Sequence, residues 1–576
     1  MTFIRVDMTK GTTKVEETPE EYRGLGGRGL TSVMINQDVP PDCDPLGPEN
    51  MLIFAPGLLS GTPLVNTSRI SIGAKSPLTG GIKESNAGGT VAAALGKMSI
   101  DAIVVTGAAP EDALYVLHVG PEGNVSLDPA DDYKGMRTYA LVTELLAAYG
   151  EKKGIMCIGP AGEFKLASAS IQTTDVDGRP CRAAGRGGMG AVMGAKGLKA
   201  IVVDTRGKAE KLIDDPAAFK EAVKVFADAV KKNPFSGQTL REVGTAGLVG
   251  AVNSVGGFPS YNATKGALDG WEKITGEAMA ETIKGRGGKT SHMGCSQCII
   301  HCSNEYVDES GAYMTSSLEY ETIWSMGGMT GIDDLDTIAR LDFLADDIGL
   351  DTMNTGVALG VALDAGYKPF GDKQMVLEMM EEIASGTEFG RVLGNGPAAV
   401  GKHFNHERVP VVKNQSIAAY DPRAMPANGV TYATSPMGAD HTAGNLVGSY
   451  LAGMLNHDDS QAQVDASFQA QVGMAALDCT GMCLLAGGAI GGKAGEAFFK
   501  MIEMQLGRPF DAQAYSALGV QVLKAEMEFN KKAGFTSEDD RLPAFFYEEK
   551  LSPNDHVFPI STDDLDSTFS ALKGEK

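Results

Sequence analysis

Long apolar runs are missing from this chain: none approaches the length of about 20 residues that a membrane-spanning helix requires, so a helical span is excluded. The first residues also lack an uninterrupted apolar stretch. Arg5 and Asp7 fall inside an alternating, strand-like pattern, so no secretory signal is read there and the cytoplasm is the expected location. Positive charge is in deficit, with 50 Lys and Arg against 73 Asp and Glu for a net charge of -23. A phosphate backbone would be repelled over most of such a surface, which argues against nucleic acid as a partner. Cysteine is scarce as well, and the eight residues are too few and too clustered in 576 for a disulfide framework. In a reducing compartment clustered thiols bind metal or do redox work.

What is present is globular: 43% hydrophobic and 21% charged residues, in a chain long enough for about three to five domain-sized units. Glycine is in excess, 73 residues where about 7% is usual, and it gathers in loops such as GLGGRGL and GRGGMG that let backbone approach a ligand.

Residues 1–208 read as one β-rich domain, with short runs such as MLIFAPG, RISIGA, DAIVVTG, LYVLHVG and LKAIVVD between glycine and proline turns. The charged segment TRGKAEKLIDDP reads as a linker, and amphipathic stretches such as PAAFKEAVKVFADAVKK follow it. Strands first and helices afterwards predict an α+β protein: a β-rich N-terminal domain, then mainly α-helical domains at 209–405 and 406–576. The division near 405 rests on the polar stretch KHFNHERVP.

The sharpest local signal is MGCSQCIIHC, in which Cys295, Cys298 and Cys302 have the spacing C-x2-C-x3-C. An iron–sulfur cluster wants four thiolates, and a short loop can supply three while the fourth arrives from distant sequence. Zinc, with His301 as fourth ligand, is the alternative on the loop alone. The spacing is the reverse of the C-x3-C-x2-C of radical S-adenosylmethionine enzymes. Cys43, Cys157 and Cys181 stand alone and read as small buried hydrophobes.

An internal repeat suggests the fourth ligand. Asp346-Asp347-Ile348-Gly349-Leu350-Asp351 recurs as Asp478-Cys479-Thr480-Gly481-Met482-Cys483, both D-x-x-G-[LM]-[DC]. Each copy follows a helical stretch; Leu335, Ile338, Leu341, Leu344 and Ile348 stripe one face before the first. Glycine can turn the chain at such an end, a carboxylate can accept hydrogen bonds from an amino-heterocycle edge, and the next helix start favours anionic groups. Two copies imply two similar ligands. The sixth position, Asp351 in one and Cys483 in the other, is what a pair of sites would show if a cluster adjoined only one.

The cysteine loop, the distant D-x-x-G-[LM]-C, its partner DDIGLD, the early segment RISIGAKSPLTGGIKESNAGG, and AGRGGMGAVMGAKGLKAI together resemble the aldehyde ferredoxin oxidoreductase family over nearly the whole chain. The resemblance implies a β-rich domain capped by two helical ones, with a tungsten (or molybdenum) bis-pyranopterin group where they meet. It implies a [4Fe-4S] cluster on Cys295, Cys298, Cys302 and Cys483, with Arg69 against it. Asp346 and Asp478 would bind the two pterins, helped by Gly349, Leu350, Asp351 and Met482. Asn86, Gly88, Arg186 and Gly187 would meet pterin and phosphate and offer carbonyls to a bridging Mg2+. A catalytic set of Tyr320, Glu321 and His441 is implied, acting on an aldehyde, with ferredoxin or a small iron–sulfur subunit as electron acceptor in a homo- or hetero-oligomer.

Two departures stand out. The region after the catalytic Glu reads DLDTIARLDF, without the E-x-x-H of members that bridge subunits through iron, so no interface iron is expected. Thr442 and Ala443 follow His441 where some relatives have a lysine. His403 and His406 read as surface residues. A rival within the family is the catalytic subunit of a larger complex that reduces aromatic acyl-thioesters, although SPMGADH and LEYETI look more like the aldehyde-oxidising members. A NAD-dependent dehydrogenase is the rival outside it, because Gly24-x-Gly26-x-x-Gly29 and Gly185-x-Gly187-x-x-Gly190 fit G-x-G-x-x-G. EEYRG and DGRPCRAAG before them are not buried strands, and the stretch after Gly190 is too short for a crossover helix. A pure electron-transfer module would need neither this length nor the second D-x-x-G.

Overall fold

The computed structural model describes residues 1–207, 211 and 213–573. The first 204 of these build two six-stranded sheets. One holds β1 (Thr2–Asp7), β2 (Thr12–Glu17), β3 (Leu52–Pro56), β4 (Ile70–Lys75), β5 (Ile82–Ala87) and β6 (Ile100–Thr106), in the order β2-β1-β6-β3-β4-β5. The other holds β7 (Tyr115–Val119), β8 (Val125–Pro129), β9 (Lys153–Cys157), β10 (Ile171–Thr173), β11 (Arg182–Ala184) and β12 (Leu198–Asp204), in the order β11-β10-β9-β12-β7-β8.

The two orders are one topology traced twice. β1 pairs parallel with β6 as β7 does with β12, and the remaining neighbours are antiparallel in both sheets. Helices Gly27–Asp38 and Thr138–Tyr149 occupy matching places, as do Val91–Lys97 and Met189–Ala195. The sequence carries the echo: Glu20-Glu21-Tyr22-Arg23-Gly24-Leu25 against Asp131-Asp132-Tyr133-Lys134-Gly135-Met136, and Ala102-Ile103-Val104-Val105 against Ala200-Ile201-Val202-Val203. The α+β class expected from sequence holds, with more helix in the first part than strand-by-strand reading anticipates. The dinucleotide alternative fails on connectivity, because helix Gly27–Asp38 leads into β3, which is antiparallel to both its neighbours.

The boundary expected at 208–209 lies outside the described residues. Beyond it the chain is mainly helical. Helix Leu335–Ile348 starts where Asp334 accepts from Thr337 N at 3.1 Å, and its stripe of Leu335, Ile338, Leu341, Leu344 and Ile348 is buried. Ser460–Thr480 and Ala512–Lys532, 21 residues each, are capped by Asp459 and Asp511 and pack against each other and helix Gly27–Asp38. One apolar core contains Trp324, Ile338, Val430 and Leu565, so it is shared across residue 405, and a division there is kept as a proposal. A three-stranded sheet, Lys289–His292, Ser303–Val307 and Tyr313–Ser316, interrupts the helices and carries the cysteine loop between its first two strands. His406 is corrected: it is half-buried and lies 2.8 Å from Asp364 Oδ2, whereas His403 is exposed. Among the described residues no helix is long and apolar enough to cross a membrane.

Candidate redox site

The cysteine loop turns through left-handed residues at Gln297 (φ 57°) and His301 (φ 60°), which fold Cys295, Cys298 and Cys302 toward one another. Cys483 comes from the other end of the chain, at the start of the short helix Leu484–Gly487. The four thiols feel each other. Burial, then the neighbouring Cys295 and Cys483, push Cys298 up to about 11. Cys302 is raised by burial first, with smaller contributions from Glu319, Cys298 and Cys483. No three of the four sulfurs lie within 4.8 Å of one another; among the described residues only Asp175, Asp177 and His292 form a group so close. A tetrahedral zinc, with Zn–S near 2.3 Å, would draw its sulfurs to roughly 3.8 Å apart, so the wider cage suits a cluster better.

The two D-x-x-G turns dock on the two halves of the β domain in the same way. Gly349 (φ 82°) and Gly481 (φ 77°) end their helices in the left-handed conformation. Gly481 lies against Gly57, just after β3, and Gly349 against Gly159, just after β9: a Cβ on Gly57 would sit 2.0 Å from Gly481 N, and one on Gly159 2.3 Å from Ile348 O. Backbone bonds complete each clasp, Leu59 N donating to Thr480 O at 3.0 Å and Ser170 N to Gly349 O at 2.9 Å.

Asp346 is buried and Asp478 half-buried, each beside an arginine that sequence reading missed. Asp478 Oδ2 stands 3.4 Å from Arg28 Nη1, and Arg28 also forms paired 2.8 Å bonds to Glu526. Burial, then Glu84, raise the Asp478 carboxyl against the pull of Arg28 and Arg69. Asp346 is raised by burial and by Asp342, and Arg182 opposes this. Arg182 packs under the cysteine loop so tightly that a Cβ on Gly294 would fall 1.9 Å from its Nη2. The available signal was an arginine within or just before a glycine-rich run, GLGGRGL and RPCRAAGRGGMG, although neither stretch reveals its acidic partner.

Of the residues singled out by resemblance, Arg69 lies beside Cys483, whose burial-raised thiol it pulls down, and donates through Nε to Asn86 Oδ1 and through Nη2 to Asn86 O at 3.2 Å. Gly88 leaves room for Cys295: its Cβ would be 2.5 Å from that sulfur. Met482 and Leu350 are buried, the latter bridged to Ala169. Gly187 O accepts from Ser76 Oγ at 2.7 Å. Arg186 commits its Nη atoms to Ala439 O at 2.7 Å and Ser416 O at 2.6 Å, leaving Nε 3.6 Å from Asp351 Oδ2. Asp351 caps the next helix through Met353 N at 3.0 Å.

Tyr320, Glu321 and His441 are brought together. His441 Nε2 is 3.4 Å from Glu321 Oε1. Ala419 N donates to Glu321 Oε2 at 3.0 Å while Tyr320 OH donates to Ala419 O at 2.8 Å, so one backbone residue ties the tyrosine to the acid. Burial raises the Glu321 carboxyl, and His441 and Arg186 pull it back. Tyr420 and Tyr432, unmarked by the sequence reading, close around the acid, the Tyr420 ring 6.0 Å from that of His441. The segment is fixed to the β domain by Lys83 Nζ, 2.5 Å from Asp440 Oδ2.

Buried polar atoms without a partner include Glu321 Oε1, His441 Nδ1, Asp351 Oδ2, Arg186 Nε and Arg182 Nε. Folded proteins pair nearly all such atoms, so this concentration fits a polar ligand seated among them. A half-buried acid–histidine pair and a cage of four thiols in one chain fit an oxidoreductase.

Comparison with known proteins gives the family. The model for "Aldehyde ferredoxin oxidoreductase, N-terminal domain" matches residues 3–205, and that for "Aldehyde ferredoxin oxidoreductase, domains 2 & 3" matches 221–568. The tungsten-containing aldehyde ferredoxin oxidoreductase of Pyrococcus abyssi is 34% identical over 579 residues, covering 95% of this chain and 91% of its own. That of Pyrococcus furiosus is also 34% identical, with the same coverage. An aliphatic sulfonate oxidoreductase, WOR-like subunit, from Pyrococcus furiosus is 27% identical over 77% of this chain and 74% of its own. In fold, the chain superposes with a TM-score of 0.83 on the active-site complex BamBC of benzoyl coenzyme A reductase, at 20% identity, over 100% of this chain and 94% of that one. The chain belongs to the aldehyde ferredoxin oxidoreductase family.

Proposed function

We propose that this protein oxidises aldehydes to carboxylates in the cytoplasm, using a tungsten (or molybdenum) bis-pyranopterin group seated between the two D-x-x-G turns. Electrons would leave through a [4Fe-4S] cluster on Cys295, Cys298, Cys302 and Cys483 to ferredoxin or a small iron–sulfur subunit, in a homo- or hetero-oligomer. The observation that carries this reading is the half-buried Glu321–His441 pair, 3.4 Å apart, in which Glu321 Oε1 and His441 Nδ1 make no hydrogen bond.

Asp346 and Asp478 would accept hydrogen bonds from the pterin edges, and Arg182 and Arg186, whose Nε atoms make no hydrogen bond, would meet anionic groups. Asn86 and Gly187 would offer their carbonyls to Mg2+. When bound, the group would supply two-electron oxidation.

The chain's own residues handle the proton and the carbonyl charge. Adding water to an aldehyde builds negative charge on the carbonyl oxygen and needs a base for the water's proton; overall RCHO + H2O gives RCOO−, three protons and the two electrons that pass to the acceptor. Glu321, held through Oε2 by Ala419 N, presents Oε1; His441 presents an imidazole beside it. One takes the proton and the other donates to the carbonyl oxygen, while Tyr320 fixes Ala419 and hence the carboxylate. Anaerobic assay of metal-loaded enzyme with aldehydes and a viologen or ferredoxin acceptor tests the reading. Reduction of an aromatic acyl-thioester without any aldehyde oxidation would replace it with the acyl-thioester reading.

A further inference from the structure

Asn66, in the β3–β4 connection, touches both cysteine-bearing segments. Its backbone N–H donates to Gln297 O at 3.1 Å, inside the three-cysteine loop, and its carbonyl accepts from Cys483 N at 2.8 Å. The side chain repeats the connection: Oδ1 accepts from Ile299 N at 3.4 Å, and Nδ2 donates to Cys298 Sγ at 3.3 Å. The residue is buried and left-handed at φ 60°, a conformation that asparagine, aspartate and glycine tolerate and most residues do not.

We infer that Asn66 is a positioning residue of the four-cysteine cage, joining its two segments and raising the reduction potential of the cluster that the cage would hold. The inference rests on the cluster reading under Proposed function. A hydrogen bond to a ligating sulfur withdraws charge and favours the reduced cluster, which carries one more negative charge, and the effect is stronger in a buried site. The other donors to the same sulfur are backbone N–H groups, that of His301 at 3.4 Å among them, which no side-chain change removes. Asn66 Nδ2 is therefore the part of this sulfur's environment that the side chain controls.

Two variants separate the bond from the fold. Asn66→Asp keeps the shape, the tolerance of positive φ and an oxygen for Ile299 N, but replaces the donor with a negative charge. Asn66→Gly keeps the backbone bonds to Gln297 and Cys483 and removes the side chain. Redox titration followed by electron paramagnetic resonance, with iron content measured alongside, is expected to show near-parental iron and a midpoint below the parent in both, lower in Asn66→Asp than in Asn66→Gly. Ser68→Ala is the control, since Ser68 Oγ donates to Ser296 O at 2.5 Å beside the same loop without reaching a sulfur. Its midpoint should stay at the parental value. Iron-loaded Asn66 variants that titrate at the parental midpoint, or an equal shift in Ser68→Ala, would overturn the inference. A parent chain without a four-iron signal would instead overturn the cluster reading itself, and is seen before any variant is made.

Discussion

Glu321 Oε1 and His441 Nε2 face each other at 3.4 Å without forming a hydrogen bond, so that Glu321 Oε1 and His441 Nδ1 are both buried atoms without a hydrogen-bond partner. They come from distant segments, and the contact is held from both sides, by Ala419 N on Glu321 and by the Lys83–Asp440 ion pair next to His441. Removing one positioned acid or base usually costs about 10²–10⁴-fold in rate. Glu321→Gln and His441→Asn should each lose that much aldehyde oxidation while metal and iron content stay near the parent. Activity within a few-fold of the parent in both would remove the pair from the mechanism.

The same acid predicts a pH dependence. Burial holds its carboxyl above the usual glutamate value of 4.5, against His441 and Arg186. The folded state therefore keeps this proton longer than the unfolded chain, so the contribution to stability is present below 4.5 and is lost as pH rises through the raised value. Activity moves oppositely if Glu321 is the base, because it must be ionised to accept a proton. The acidic limb of kcat/KM against pH should lie above 4.5 in the parent and vanish from the residual activity of Glu321→Gln. An unchanged limb in that variant would assign it to another group.

Cysteines four residues apart in one turn should behave differently. Cys479 is buried, donates from Sγ to Ala475 O at 3.1 Å and faces Gly29, whereas Cys483 is half-buried beside Arg69 in the cage. Cys483→Ser should damage the cluster about as badly as Cys298→Ser, and Cys479→Ser should leave it intact. Paramagnetic resonance of the reduced protein reads both, and an intact four-iron signal in Cys483→Ser would reassign the fourth ligand.

The glycine clasps make a stability prediction. A methyl group at Gly57 or Gly159 meets backbone at 2.0 Å or 2.3 Å, with no flexible side chain to move aside. Overpacking of this kind costs about 1–3 kcal/mol or more. Gly57→Ala and Gly159→Ala should both lower the thermal midpoint, and by similar amounts if the two halves hold their turns equivalently. Gly285→Ala, at an open position, is the control.

What the sequence made legible was local. Cys295, Cys298 and Cys302 declare themselves by spacing, and D-x-x-G-[LM]-[DC] by repetition within six residues. The fourth cysteine needed the comparison of Asp351 with Cys483. The β domain's duplication was written in Glu-Glu-Tyr-Arg-Gly-Leu and Asp-Asp-Tyr-Lys-Gly-Met, but only Tyr and Gly are identical there, and an echo so short is lost among ordinary turns. The pairings of Arg28, Glu526, Arg182 and Asn66 were hidden for a different reason. Their partners lie far along the chain, and only packing of the helical part against the sheets brings Arg28 to Asp478 or Asn66 to Cys298. Tyr420 and Tyr432 likewise look like ordinary core aromatics until the chain folds them around Glu321.

Elemental analysis of anaerobically purified protein tests the central claim most directly. One tungsten or molybdenum and about four irons per chain are expected, since the four thiolates would hold one four-iron cluster and the two acid turns one metal–bispterin group. Zinc alone, with neither iron nor a pterin-bound metal, would contradict it.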